Sequence, residues 1–415
     1  MVTTRCLALQ WSETVTSAAV LSLHTSPLAL AGVGDSGGMN VYVRELAGAL
    51  GRAGVTVRVF TRRWSDDLPE RVVVEPGVEV VHVAAGPVGL AKEALPPIVS
   101  EFADGVADEL LRASADVLHA NYWLSAVAGH ELKHRLDLPL VSTFHTLARV
   151  KADSGDPEPA ARVQAETMVV GCCDAICASN TVEATQLVDL YGADPSRIEI
   201  APPGVDRAYF SPGDHLGARR ALGLDDHPIV LFVGRIQPLK GPTVAVEALA
   251  AVKNPDARLI VVGGPSGSEG VGEWNRVQQA VRQHQLADRV SFVDAQPHHI
   301  LSTYYRAADV VVVPSRSESF GLVALEAAAC GRPVVGAAVG GLRTLVEHGH
   351  TGYLVDSRDP LEFATRLDDL IDHPARAEAM GRAAANLAAG FSWSTTAGRL
   401  RRMYSDLAAR TLVRC

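Results

Sequence analysis

Short runs rich in Val, Ile, Leu and Ala recur along the chain, and each is followed by a longer segment whose apolar positions return at the helical period. Apolar runs without polar alternation suit strands buried on both faces, and helical segments between them suit crossover connections. The pattern predicts an α/β fold on parallel sheets. In the first half, strands are expected at Ala18–His24, Thr56–Thr61, Val78–Ala84, Val117–Ala120, Leu140–Phe144, Ala175–Ala178 and Ile198–Ala201, with helices filling most of the gaps.

Two breaker clusters, Pro202-Pro203-Gly204 and Ser211-Pro212-Gly213-Asp214, interrupt the series, and a linker is expected there. The pattern restarts with Ile229–Val233, Arg258–Val262, Val290–Val293, Val310–Val313 and Pro333–Gly336. Each half reads as a Rossmann-like unit. The expected organisation is a first domain over residues 1–208, a second over 209–391, and a tail over 392–415 whose segment Ser392–Ala409 is amphipathic and helical. Two domains of about 200 residues suit a chain of 415, and two lobes imply a cleft between them. No short repeat of solenoid period is evident.

Composition narrows the partners. With 38 basic against 47 acidic residues the net charge is -9, so an anion site must be a local pocket and nucleic acid is not an expected partner. No apolar run approaches the ~20 residues of a spanning helix, so no membrane partner is expected. The segment Met1–Trp11 lacks a signal-like apolar region, and cytoplasm is the expected location. The six cysteines, Cys6, Cys172, Cys173, Cys177, Cys330 and Cys415, lack paired zinc-ligand spacing and are expected as reduced thiols, those at 172–177 serving as small hydrophobes.

Three stretches carry chemistry. Gly32-Val33-Gly34-Asp35-Ser36-Gly37-Gly38-Met39-Asn40 follows the first strand and opens into a helix expected near Val41. Its glycines let backbone approach a ligand, and the helix start offers free N–H groups to phosphate or sugar oxygens, although tight strand-to-helix turns need glycine anyway. Gly234-Arg235-Ile236-Gln237-Pro238-Leu239-Lys240-Gly241 projects two cations where a strand ends. Open α/β sheets bind ligands at that edge, which favours a diphosphate site over a solvated surface pair. Each charge-assisted hydrogen bond there contributes roughly 1.5–3 kcal/mol, directed at the charge growing on a leaving nucleoside diphosphate. Third, Ser315-Arg316-Ser317-Glu318-Ser319-Phe320-Gly321-Leu322-Val323 leads into a helix carrying Glu326. Glu318 at the helix entrance and Glu326 inside it are expected on one side. Their carboxylates can accept from sugar and ribose hydroxyls, while N–H groups near Gly321 and Leu322 face phosphate. A helix-start acid favoured by the dipole explains the first glutamate alone.

These features together resemble the retaining glycosyltransferases of family 4, which have the GT-B fold of two Rossmann-like domains facing across a cleft. The resemblance covers nearly the whole chain. The stretches His24-Thr25-Ser26-Pro27, residues 34–43 and residues 317–323 are similar to the members that glycosylate inositol phosphate in mycothiol synthesis. The resemblance implies that Arg235 and Lys240 hold the donor diphosphate, Glu326 the ribose and Glu318 the transferred sugar, with Gly38, Gln296, Gly321, Leu322 and Val323 completing the donor site. It implies an acceptor site of His24, Asp35, Gly37, Asn40, Lys92, Tyr122, Thr146 and Arg162, four of which (Lys92, Tyr122, Thr146, Arg162) contact phosphate. His145 is implied beside the donor sugar, where its imidazole or carbonyl stabilises an oxocarbenium-like centre, and the catalytic set is His145, Arg235, Lys240 and Glu318.

The chain departs from the family at two places. Asn121 stands where a second histidine is expected, and Arg332 replaces the small Thr near which a magnesium binds in the family. No metal and no cofactor is therefore expected to be required. The expected partners are a nucleotide sugar and a small polar acceptor, and the expected assembly is a homodimer. N-acetylglucosaminyl transfer to inositol phosphate is one reading. Another is a secondary-metabolism (antibiotic) enzyme serving a thiol or aminocyclitol acceptor from a UDP- or GDP-sugar. A third is a non-catalytic sugar-nucleotide-binding protein. The absence of a Gly-x-Gly-x-x-Gly turn with a ribose-binding acid argues against an NAD-dependent oxidoreductase.

Overall fold

Side chains on alternate sides of the first strand enter two separate cores: Ala19 and Leu21 pack with the helices Val99–Arg112 and Trp123–Leu136, Ala18 and Val20 with the helix Gly38–Arg52. Burial on both faces is why the strands read as continuous apolar runs. The computed structural model describes residues 15–32, 36–156 and 158–415. Cys6, the segment Met1–Trp11, and Gly34 and Asp35 of the glycine loop lie outside the described residues.

The first sheet comprises β1 (Ser17–Leu21), β2 (Thr56–Arg62), β3 (Arg71–Glu75), β4 (Val78–Val83), β5 (Val117–Asn121), β6 (Leu140–Thr143), β7 (Ala175–Ala178) and β8 (Ile198–Ile200), in the order β3-β4-β2-β1-β5-β6-β7-β8. Its pairs are parallel except β3 with β4. The second sheet comprises β9 (Ile229–Val233), β10 (Arg258–Val262), β11 (Val290–Val293), β12 (Val310–Val313), β13 (Val334–Ala337) and β14 (Gly352–Val355), all parallel, in the order β11-β10-β9-β12-β13-β14. Each sheet reverses its strand order once, between β1 and β5 and between β9 and β12, and such switch points open a crevice at the strands' carboxyl ends.

The strand pattern misses β3 and β14. β3 is an edge strand joined to β4 by a turn at Pro76-Gly77, and its Val73 is exposed, so no buried run marks it. β14 opens on Gly352, where a Cβ would fall 2.2 Å from the Val334 carbonyl oxygen. That close approach demands glycine and shortens the apolar signal.

Residues 201–214 run without helix or strand. The tail helix Trp393–Ala408 is capped by Ser392, whose side chain accepts from Thr395 N–H at 3.1 Å. It buries Trp393, Ala397, Leu400 and Tyr404 in the same core as Ala18, Val20, Tyr42 and Leu46, and its Arg399 donates to the Ile200 carbonyl at 2.8 Å. The last helix of the chain therefore packs on the first sheet, not the second. Among the described residues no helix is long and apolar enough to cross a membrane.

Cys173, Cys177 and Cys330 are buried free thiols, as expected of small hydrophobes, and burial pushes Cys173 and Cys330 up to about 12. Cys172 departs from the expectation of reduced thiols. It forms a disulfide with Cys415, the Cα atoms 5.5 Å apart, because the chain beyond the tail helix returns to the end of the helix Ala160–Cys172, where Val413 N–H donates to Asp174 at 2.7 Å.

Candidate active site

Loops at the carboxyl ends of both sheets line one cavity of about 1080 Å³. From the first sheet come His24, Gly37 and Gly38 after β1, Tyr122 after β5, and His145 and Thr146 after β6. From the second come Arg235 and Lys240 after β9, Gln296 after β11, and Glu318, Gly321, Leu322 and Val323 after β12. Lys92, Arg162 and Glu326 reach it from the short turn Lys92–Ala94 and the helices Ala160–Cys172 and Leu322–Ala329. Ligand pockets commonly run to about 1,000 Å³, so this cavity has room for two small polar molecules together.

The loop after β9 folds against the loop after β12. Gly241, at φ 71°, comes so near that a Cβ would lie 2.5 Å from the Pro314 carbonyl oxygen. This brings Lys240 Nζ within 2.6 Å of Glu318 Oε2, to which Ser315 Oγ also donates at 3.3 Å. Backbone holds Glu318 from the other side: Gly341 N–H donates to its carbonyl at 2.9 Å, and Gly340 packs against that carbonyl. Glu318 was expected at a helix entrance on one side of the helix with Glu326. It stands instead in the preceding loop, divided from the helix Leu322–Ala329 by Gly321 at φ 102°, and both residues line the cavity.

Glu326 is buried and accepts from Tyr305 Oη at 2.7 Å. Burial, opposed by that hydrogen bond, raises its carboxyl to about 7. The folded protein thus keeps a proton between about pH 4.5 and about pH 7 that the unfolded chain has released. Stability from this group is lost as pH rises through that window, by on the order of 3 kcal/mol, and is flat above it. Glu326→Gln removes the titration and keeps an acceptor for Tyr305; its thermal midpoint is expected to fall less between pH 5 and pH 7 than that of the parent, and parallel slopes would contradict the assignment.

The glycine loop lies against the second sheet's loops. A Cβ on Gly37 would meet Arg235 Nε at 3.2 Å, one on Gly38 the Leu322 Cδ1 at 3.4 Å, and one on Gly32 the Ala295 Cβ at 3.0 Å. The helix starts at Gly38, ahead of the expected Val41, because Asn40 Oδ1 accepts from Gly37 N–H at 2.8 Å. Asn40 Nδ2 donates to Thr25 Oγ1 and the Ser26 carbonyl. Asn40 is buried and braces the glycine loop from inside the first module, and it does not line the cavity. Its expected place among acceptor contacts is corrected accordingly; Gln296 lines the cavity with its Nε2 donating to the Asp294 carbonyl at 3.0 Å.

At the other end Arg162 is 2% exposed and fully engaged. It donates to Glu166 at 2.8 Å, to Tyr122 Oη at 3.1 Å and to Thr146 Oγ1 at 3.0 Å, and pairs with Glu158 at 2.9 Å. Tyr122, held at φ 75°, lies near two cations, Lys92 Nζ at 4.6 Å and the Arg162 guanidinium at 4.9 Å from its ring centre. The His24 ring lies against the same ring, 4.4 Å between centres and tilted by 40°. Its Nδ1 is buried without a hydrogen-bond partner. Burial first, and then the charges of Lys92 and its neighbours, hold His24 well below the usual imidazole range, so it is neutral near pH 7. Lys151 joins this end of the cavity beside Asp156 and Glu158.

Residues 36–209 match the family described as Glycosyltransferase Family 4, and residues 218–387 match Glycosyl transferases group 1. The chain is 48% identical over 407 residues to D-inositol 3-phosphate glycosyltransferase of Actinosynnema mirum, covering 94% of this chain and 96% of that one. It is 47% identical over 417 residues to the enzyme of the same name from Kineococcus radiotolerans, covering 95% and 96%. The chain belongs to the family 4 glycosyltransferases of GT-B fold. Sucrose-phosphate synthase of Thermosynechococcus elongatus superposes with a TM-score of 0.90 at 32% identity, covering 95% of this chain and all of that one. HepE of Anabaena, solved with UDP and glucose, superposes at 0.76 and 21% identity over 94% of this chain and all of that one, a likeness of fold.

In this glycosyltransferase His145 sits at φ 62° between the two modules. Its Nε2 lies 2.9 Å from Asn121 Oδ1, and Asn121 Nδ2 points to the His119 carbonyl at 3.4 Å. The Asn121 departure therefore acts on the catalytic candidate itself, as the hydrogen-bond partner of its imidazole. Burial pushes His145 down to about 3, so it is a neutral ring at any working pH. Its carbonyl accepts from Ser319 Oγ, while Asn180 Nδ2 donates to the Ser319 carbonyl at 2.7 Å. Ser319 and Asn180 thus tie the Glu318 loop to the first module, and the sequence reading missed both. The readable signal at Asn180 is its helix-capping pattern with Glu183; Lys151 and the Gly340-Gly341 pair had no such mark.

Arg332 does not line the cavity. It lies at the amino end of β13, the edge of the sheet opposite the switch point, and the charges of Asp309, Arg219 and Glu378 act on it. A guanidinium donates and cannot ligate a cation, so the Arg332 side chain offers no ligand to a magnesium there.

Proposed function

We propose that this glycosyltransferase moves N-acetylglucosamine from a UDP-sugar to D-inositol 3-phosphate with retention of configuration. One observation carries the reading: a single cavity holds Arg235, Lys240, Glu318 and Glu326 on one side and Lys92, Tyr122, Thr146 and Arg162 on the other. Two separated cationic groups suit two separate phosphates, a leaving diphosphate and an acceptor phosphate monoester. The names of the relatives at 45–48% identity support the acceptor, and none of the relatives named above points to a thiol or aminocyclitol.

In this reading Arg235 and Lys240 stabilise the charge that grows on the diphosphate as the glycosidic bond breaks. Glu326 accepts from the ribose and Glu318, held by Lys240 and Ser315, accepts from the sugar hydroxyls. The acceptor hydroxyl attacks from the face the diphosphate leaves, so positioning supplies much of the rate. The neutral His145 orients the sugar without a proton transfer, and no metal is assigned a step. Glu318→Gln keeps size and loses charge; it is expected to lower kcat about 10²-fold with the donor KM within a few-fold, and normal turnover would remove Glu318 from the sugar site.

Incubation with a panel of UDP-, GDP- and ADP-sugars and of inositol phosphate, inositol, thiol and aminocyclitol acceptors, read by mass spectrometry, tests the whole reading. Transfer of N-acetylhexosamine to inositol phosphate from the UDP donor is the expected product. Transfer to a thiol or aminocyclitol alone, or binding without turnover, would overturn it.

A further inference from the structure

Outside the residues that line the cavity, His130 and His134 stand one turn apart on the helix Trp123–Leu136, beside Cys172 and Cys415. We propose that these four residues, with both cysteines as thiols, form a binding site for a soft divalent cation of the zinc class that fastens the C-terminal tail to the first module. One ligand atom from each lies within 4.8 Å of all the others. His134 Nε2 is 3.4 Å from Cys172 Sγ and 3.3 Å from Cys415 Sγ, and His130 Nε2 is 3.9 Å from Cys415 Sγ. A tetrahedral zinc with Zn–S of about 2.3 Å and Zn–N of about 2.0–2.1 Å has S···N edges of about 3.5 Å, close to the spacings found.

The disulfide between Cys172 and Cys415 uses two of the four donors and leaves the histidine pair unexplained. Spacing of i and i+4 puts both imidazoles on one helix face, the arrangement two metal ligands need. Surrounding contacts are in place: Lys133 Nζ donates to the Cys172 carbonyl at 2.8 Å and pairs with Asp174 at 2.7 Å, and Asp174 anchors the tail through Val413 N–H. Such outer contacts orient ligands. Binding forms two metal–sulfur bonds and releases two thiol protons to water; no electron moves, and the disulfide form is excluded from it.

The test uses the full chain purified under a phosphine reductant. Metal analysis is expected to give about one zinc per chain, and cobalt substitution to give the visible bands of a tetrahedral sulfur-ligated ion. His134→Ala leaves both sulfurs and a disulfide untouched, yet is expected to weaken zinc at least about tenfold. Cys415→Ser is expected to do the same, both variants retaining transferase activity. A reduced chain that holds no stoichiometric zinc, or metal content unchanged in both variants, would overturn the proposal.

Discussion

Replacing Lys240 by alanine is expected to lower kcat by about 10²–10³, the loss typical of removing one preorganised donor from a developing anion. Its Nζ is 2.6 Å from Glu318 and lines the cavity together with Arg235. An interaction made chiefly as the diphosphate leaves should reduce kcat and kcat/KM together, leaving the donor KM nearly unchanged. The pair is partly exposed, and surface-type ion pairs contribute little to stability, so the thermal midpoint is expected to stay within a degree or two of the parent. A rise in donor KM with unchanged kcat would instead make Lys240 a ground-state binding residue, and the leaving-group role would be lost.

Arg162→Met is expected to act on stability as well as on the acceptor. The guanidinium is 2% exposed and its partner Glu166 is fully buried, with Tyr191 Oη and the Ala148 N–H on the other carboxylate oxygen. Removing one partner of a buried pair leaves the other uncompensated, at about 3–5 kcal/mol, or on the order of 10 °C in the midpoint of the first module. Arg162→Lys does not rescue it, since an ammonium cannot span Glu166, Tyr122 and Thr146 at once. Lys92→Ala is the matched control: Lys92 touches the Tyr122 ring from a half-exposed turn, so only the acceptor KM should rise. Equal stability of parent and Arg162→Met would show that the carboxylates rearrange and that the buried network is not what holds this end of the cavity.

Strands buried on both faces announce themselves, and the centres of both sheets are legible for that reason. Edge strands are not: β3 is half in solvent, and β14 begins on a glycine demanded by the Val334 carbonyl. The cations of the donor site are readable because Arg235 and Lys240 share a short loop at a strand end. Glu318 and Glu326 are readable as residues but not as geometry, since only the left-handed turn at Gly321 shows that one sits in the loop and the other on the helix. Asn40 misleads because its side chain turns inward to Thr25 and Ser26, which no local pattern reveals. Ser319 with Asn180, Asn121 with His145, and Cys172 with Cys415 are pairings of residues far apart in the chain, and one sequence carries no distance information about them.

The ratio of kcat/KM for D-inositol 3-phosphate to that for unphosphorylated inositol, measured with one UDP-sugar, bears most directly on the idea of two phosphate sites in one cavity. Two charge-assisted contacts of roughly 1.5–3 kcal/mol each predict a preference of at least about a hundredfold, falling by at least about tenfold in Lys92→Ala, which removes one of the two. Equal efficiencies for the two acceptors would contradict it.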